Sequence, residues 1–316
     1  MRSEVPWEPL KLLTVLFFAI LSATANWAAL SYIHDFVDLS PLPDVISYWI
    51  PQQSWTAFYG DWAAGICGFC LLILIILHQH RFVIFRRFLY IASWLYAMRA
   101  ITILATRLPP PFEDGVVKCR MQIQNATHRH LELYWHRFVE QAATFGLQDT
   151  NKPILCGDLL FSGHTIIMVL SALMVRHYIP KKYYFISHIT SLISVVGVIC
   201  MLISRNTYTV DVIVAYWLAS FVFTLYHSVI EVDRSIRTEG VSYWLWFAQI
   251  TEWLERNVHH DCFENKFVFP VDLTIRPTNE EIEELGREIE AREKAIRESE
   301  QVKKMSRGEE NLEVNL

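Results

Sequence analysis

Cys156-Gly157-Asp158-Leu159-Leu160-Phe161-Ser162-Gly163-His164-Thr165 and, about forty positions further on, Thr207-Tyr208-Thr209-Val210-Asp211 each open a long apolar run. Runs of this kind recur along the chain. Stretches near the ~20 apolar residues that cross a bilayer begin around Leu10, Trp62, Phe82, Leu159, Tyr183 and Tyr208. They predict an all-α membrane protein with six transmembrane helices. Composition agrees, since 53% of the 316 residues are hydrophobic and 14% aromatic, more than one water-soluble core uses. The third run is the least clean, because Arg86, Arg87 and Arg99 interrupt it.

Orientation follows from Lys and Arg in the short loops. Arg81, Arg86 and Arg87 lie between the second and third runs, and Arg176, Lys181 and Lys182 between the fourth and fifth. Both connections are expected in the cytosol. The loop from His34 to Trp55 has no Lys or Arg, and the loop from Leu108 to Asp158 carries the sequon Asn125-Ala126-Thr127, which accepts a glycan only in the secretory lumen. Those loops are expected to be lumenal and both termini cytosolic. Ala23-Thr24-Ala25 resembles a signal-peptidase site. The apolar run continues through Trp27-Ala28-Ala29-Leu30, however, and Glu4 and Glu8 mix with Arg2 and Lys11 before it, so a retained anchor is favoured.

Cys67, Cys70 and Cys200 fall inside apolar spans, where a small polarizable side chain usually packs. Cys119 and Cys156 bracket the second lumenal loop in an oxidising compartment and are candidates for a disulfide, worth about 3–4 kcal/mol by loop closure. After the sixth span, Trp244, Trp246, Phe247, Ile250, Trp253 and Leu254 suit a helix lying at the membrane interface. From Pro277 to about Lys304 the chain is strongly charged, with Ile282, Leu285, Ile289 and Ile296 at heptad-like spacing. That stripe is thin, and a solvated helix or disordered tail fits better than a coiled coil. His259-His260-Asp261-Cys262 reads as surface, since adjacent residues cannot all aim at one ion. The net charge of -5 argues against nucleic-acid binding.

In this topology His164 sits about one turn inside span four at its lumenal end, and Asp211 at a similar depth in span six. Ionisable groups there are costly and mark function. Ser162-Gly163-His164 lets the backbone approach an anion beside an imidazole, and Ser204-Arg205 offers a guanidinium suited to bidentate phosphate contact. Together with Tyr208 these are the candidate headgroup-binding residues. They read as phosphate chemistry at a lipid surface.

The stretch from Cys156 to Thr165 resembles the first signature of the sphingomyelin synthase family, which shares a membrane fold with lipid phosphate phosphatases. Tyr208-Thr209-Val210-Asp211-Val212-Ile213-Val214-Ala215-Tyr216 resembles the family's second signature. Pro41-Leu42-Pro43-Asp44 and Arg99-Ala100-Ile101-Thr102 look like two further motifs, so the resemblance covers roughly residues 40 to 230. It implies a cytosolic N-terminus over 1–9, a six-span lipid phosphotransferase domain over 10–230 and a cytosolic tail over 231–316. The implied reaction moves phosphocholine, or phosphoethanolamine, from a glycerophospholipid to the primary hydroxyl of ceramide. The implied partners are the phospholipid donor and the ceramide acceptor, with a homodimer left open and neither cofactor nor metal. The implied membrane is Golgi or plasma membrane.

By the same resemblance His164 matches the acid/base and Asp211 the carboxylate that orients a nucleophilic histidine. Thr207 stands where that histidine is expected, and threonine lacks the imidazole nitrogen that attacks phosphorus. Of the other histidines, His34, His128, His130 and His136 lie on the lumenal side, while His188 and His227 belong to the cytosolic side. Two readings remain open. One is direct transfer, with His164 or Asp158 activating the ceramide hydroxyl; the other is a catalytically impaired relative that binds lipid. A lipid phosphatase would need the same missing nucleophile, and a transporter would be expected to show repeats or broken helices.

Overall fold

Lipid offers no partner to a backbone N–H or C=O, so long apolar segments satisfy these groups internally as helices. The computed structural model describes residues 8–123, 129–144, 146, 153–231, 246–258 and 265–268. In chain order its helices are α1 (Pro9–Ile33), α2 (Val45–Trp49), α3 (Thr56–Leu77), α4 (Arg81–Ala105), α5 (Gly115–Lys118), α6 (Arg129–Ala143), α7 (Gly163–Tyr178), α8 (Phe185–Ile203), α9 (Thr209–Glu231) and α10 (Trp246–Glu255). Among the described residues there are no strands, only isolated bridges. All of these residues belong to one compact unit, Met1–Val268. The sequon at Asn125, the His259–Cys262 cluster and the charged run from Pro277 lie outside the described residues.

Among the described residues five helices are long and apolar enough to cross a membrane: α1, α3, α4, α8 and α9. The run expected to start a span at Leu159 differs, because its helix begins only at Gly163 and has 16 residues, about 24 Å of rise. Leu160 has φ 79°, which no right-handed helix accommodates. Despite its shortness α7 is the central element, packed on α3, α4, α8 and α9. Ile166, Met168, Leu170 and Met174 are fully buried along it. The outward faces of α8 and α9 instead expose Leu192, Val195, Ile199, Trp217 and Phe221, as lipid-facing helices do. Small residues let α3 and α8 close on each other. A Cβ on Gly197 of α8 would lie 2.5 Å from Ala63 Cβ of α3.

The arginines that interrupt the third run are buried in α4 and paired. Arg87 Nη2 donates to Glu255 Oε2 at 2.6 Å and Arg86 Nη2 reaches Oε1 at 3.4 Å, while Tyr226 Oη donates to the same Oε1 at 2.8 Å. Arg86 Nη1 also meets Glu8 Oε2 at 3.1 Å, and Lys11 Nζ bridges Glu8 (2.8 Å) and the Leu254 carbonyl (3.2 Å). The aromatic segment read as interfacial is therefore also docked: α10 packs on α9, with Thr251, Leu254 and Glu255 buried. Trp244 lies outside the described residues.

Truncating one member of a buried ion pair costs about 3–5 kcal/mol because the partner charge is stranded, so Glu255→Ala in detergent is expected to melt well below wild type. Burial alone would raise the Glu255 carboxyl, but the charges of Arg87 and Arg86 and the Tyr226 hydroxyl outweigh it and hold it at about 2, below the ordinary 4.5. A depressed carboxyl stabilises the fold above its ordinary value, and that contribution is lost as pH falls from 4.5 towards 2. Acid melting curves of wild type should steepen across this window and those of Glu255→Gln should not. Equal acid slopes would remove Glu255 from this role.

Candidate active site

The stretch leading into α7 is a strained loop held from several sides. Gly157 has φ 110°, and a Cβ there would meet Val37 Cγ2 at 2.8 Å and Ile33 Cγ2 at 3.0 Å, so only glycine fits. Leu160 takes a left-handed conformation at φ 79°, which costs a non-glycine residue about 1–3 kcal/mol. Offsetting contacts fix it. The Cys119–Cys156 disulfide, expected as a candidate, is formed with a Cα–Cα distance of 5.7 Å. It tethers the loop to the segment after α4, where Arg120 makes a two-bond fork with Glu140 of α6 at 2.7 and 2.6 Å.

Arg99 of α4 takes hold of the same loop from within the bundle. Its Nε donates to the Phe161 carbonyl at 2.8 Å and its Nη1 to Asn26 Oδ1 of α1 at 3.0 Å. Its Nη2 pairs with Asp158. A Cβ on Gly163 would sit 3.4 Å from Arg99 Nη2, so glycine lets the guanidinium lie close to the start of α7. Ser162 caps that start, its Oγ accepting from Thr165 N at 3.4 Å. Asp158 is thus engaged by a permanent cation, which counts against its use as the base.

His164 is the second residue of α7, not one turn inside it. Its Nε2 lies 3.2 Å from Asp61 Oδ1, with both side chains about half exposed (44% and 46%). Asp61 is the site residue that sequence reading missed. It stands on α3, whose helix begins at Thr56, whereas the apolar run was started at Trp62. The available signal was a carboxylate on the doorstep of a span.

Asp211 does not meet His164. It is fully buried, its Oδ1 accepting from Leu160 N at 2.9 Å and its Oδ2 from Tyr208 N at 2.9 Å. The second bond is the reach-back of a helix capping box; the first locks the loop to α9. Beside it Asp44 caps α2 through Ile46 N at 3.2 Å and accepts from Thr209 N (3.0 Å) and Oγ1 (2.9 Å). Tyr208 Oη accepts from Leu42 N at 2.9 Å, so the Pro41–Asp44 motif is stitched to the start of α9.

Thr207 is buried (8% exposed), and its Oγ1 has no hydrogen-bond partner among the described residues. Arg205, expected at phosphate, closes α8 instead. With φ 58° it sits where a Schellman turn usually has glycine, Asn206 N donating to Met201 O at 3.2 Å. Its guanidinium holds Glu113 Oε1 at 2.6 Å and the Ser47 carbonyl at 3.0 Å. Ser204 Oγ donates to Met201 O at 2.9 Å. Neither side chain is turned to the His164–Asp61 pair. Of the histidines expected on the lumenal side, His34 is buried under the loop and His136 is exposed on α6, while His128 lies outside the described residues.

The family described as PAP2 superfamily C-terminal matches residues 155–228, which contain both His164 and Asp211. A Caenorhabditis elegans protein provisionally named phosphatidylcholine:ceramide cholinephosphotransferase 3 is 37% identical over 261 residues, 82% of this chain and 75% of that protein. Phosphatidylcholine:ceramide cholinephosphotransferase 2 of the same organism is 32% identical, covering 84% of this chain and 79% of its own length. The human protein of that name is 30% identical, at 85% and 74%. With these relatives matched along most of its length, and with both signatures assembled around one loop, the chain belongs to the phosphatidylcholine:ceramide cholinephosphotransferase (sphingomyelin synthase) family.

Proposed function

We propose that this protein transfers phosphocholine, or phosphoethanolamine, from a glycerophospholipid to the primary hydroxyl of ceramide, leaving diacylglycerol. The observation that carries this reading is the His164–Asp61 pair at the head of α7, beside the Arg99 guanidinium. A carboxylate on one ring nitrogen orients the imidazole, and general base catalysis needs such a ring within reach of the acceptor hydroxyl. Helix N-termini favour phosphate, and Arg99 adds a fixed positive charge next to Gly163.

Thr207 cannot act as a phosphorus nucleophile in the manner of histidine, and both oxygens of Asp211 are occupied by backbone N–H groups. Direct transfer follows. The ceramide oxygen attacks phosphorus as its proton passes to His164. The bond from phosphorus to the glycerol oxygen then breaks, and His164 returns the proton to diacylglycerol. In this reading α7 completes a six-span domain over 10–230, the His164 end faces the lumen, and both termini with the tail over 231–316 are cytosolic. Golgi or plasma membrane is the site of action, and a homodimer is compatible with it.

Purified protein in liposomes with ceramide and labelled donor lipid should form the labelled sphingolipid. His164→Ala should lower the rate about 10²–10⁴-fold, the usual worth of a general base, and Asp61→Asn by at least about tenfold. Diacylglycerol should not appear before ceramide is added, in contrast to a two-step mechanism through a phosphoryl-enzyme. Product formed only by Thr207→His would replace this reading with that of an impaired relative.

Topology is read separately. Wild type expressed in cells should lose an endoglycosidase-sensitive mass at Asn125 in Asn125→Gln, and a protein that carries no glycan there would remove the support the sequon gives to a lumenal loop.

A further inference from the structure

A helix bathed in water turns its apolar residues to the protein and its polar ones to solvent, and α6 does the reverse. Leu131, Trp135 and Val139, four residues apart and so on one face, are 79%, 65% and 44% exposed. Phe138 stacks on Trp135 beside them. The opposite face is polar and buried: Arg137 and Gln141 are both covered, and Arg137 pairs with Asp35 at 2.8 Å. Glu140, on that same side, takes the fork from Arg120. Turning the apolar face inward would break both ion pairs.

The level of α6 along α1 identifies what lies outside that face. Tyr134 packs on Tyr32 with ring centroids 6.1 Å apart, and a Cβ on Gly146, just after the helix, would lie 2.9 Å from Trp27 Nε1. Trp27 precedes Asp35 by eight positions, about 12 Å of helical rise, so α6 and the turn after it descend beside the last turns of α1. That helix is one of the membrane-crossing candidates. Lys11 and Asp35 are the charged residues that bound its apolar stretch, 24 positions apart or about 36 Å, against ~30 Å of hydrocarbon. Trp27 therefore falls inside the apolar layer and Asp35 near its edge. Leu13, Phe17 and Ile20 are exposed on α1, in the row of three- and four-residue steps that runs on to Trp27 and Asp35. The exposed face of α6 continues this lipid-facing surface.

We propose that α6 is an interfacial helix whose Leu131–Trp135–Val139 stripe is seated in the phospholipid leaflet at the end of the bundle where α7 begins, among the glycerol groups and upper acyl chains. Amphipathic helices of this kind bury their apolar face about 5–10 Å into that layer, and tryptophan, apolar with one N–H, suits the same depth. Glu132 and His136, exposed along one edge, stay on the water side. Through the Arg120 fork and the neighbouring Cys119–Cys156 disulfide the helix ties this contact with lipid to the loop that delivers α7. The proposal rests on α1 as a membrane span and not on the transferase reading, so either can fail without the other.

The test uses the full chain in phosphatidylcholine nanodiscs. With the free cysteines Cys67, Cys70 and Cys200 replaced by alanine and the disulfide kept, a nitroxide is attached in turn at Leu131→Cys, Trp135→Cys, Val139→Cys and, for the polar edge, Glu132→Cys. At the three stripe positions collisions with oxygen, which concentrates in lipid, should exceed those with a water-soluble nickel chelate at least about threefold, and at Glu132→Cys the order should reverse. Wild type supplies a reading free of substitutions: hydroxyl-radical oxidation of Trp135 should run at least about tenfold slower than in a synthetic 129–143 peptide in buffer. Nickel collisions dominating along the stripe, or Trp135 oxidised as fast as in the peptide, would overturn the proposal. Stripe labels that neither collider reaches would overturn it too, with spin–spin broadening between copies marking a second copy of the chain as the occupant.

Discussion

A guanidinium inside an apolar bundle needs acceptors for its N–H groups or it will not stay there, and Arg99 has three, from two separate parts of the chain. Asn26 comes from α1, while the Phe161 carbonyl and Asp158 come from the loop that delivers α7. Because α1 and α4 pack along each other, Asn26 and Arg99 are held side by side, and the loop closes on that pair. What looks from the α7 side like an active-site signature is, from the α4 side, the set of acceptors that makes Arg99 tolerable. The cost of two left-handed residues in this loop is offset by the same contacts.

The opposite end of the bundle solves the same problem with different residues. Arg86 and Arg87 share Glu255, and Tyr226 completes its acceptor sites. Tyr178 joins them, its hydroxyl taking Arg87 Nη1 at 3.0 Å and lying 2.7 Å from His227 Nε2. Tyr178 is the last residue of α7, whose first turn holds His164, and His227 lies on α9, whose first turn holds Asp211. Both catalytic-side helices are therefore pinned at each end by a polar cluster, with apolar packing between. A short α7 works in this setting because its ends are positioned by bonds and its sides by protein.

Hydropathy was enough to find five helices long and apolar enough to cross a membrane, since burial in lipid imposes the same pattern wherever it occurs, while the run at Leu159 became the shorter α7. It failed where pairing is non-local. Arg86 and Arg87 read as blemishes because their carboxylate is 168 residues away from Arg87. Asp61 was passed over because a single carboxylate at the edge of an apolar run gives no local sign of its partner, 103 residues on at His164. Arg205 looked like a phosphate ligand by chemistry, but a left-handed turn at the end of α8 sends it to Glu113. The Cys119–Cys156 pair was legible as a candidate because the two cysteines bracket a loop expected in an oxidising compartment, and the bond is formed.

The role of Asp211 bears most directly on Thr207. If Asp211 served chiefly to orient a histidine at 207, losing that histidine would leave a buried carboxylate without a purpose, and burial of an unpaired charge is not retained for nothing. Here the carboxylate has two backbone N–H partners that do not depend on the side chain at 207. Arg99 and the His164–Asp61 pair, the groups to which the proposed function gives phosphate contact and proton transfer, likewise make their contacts without the side chain at 207. Direct transfer, as proposed, asks for those groups and for no nucleophile at 207.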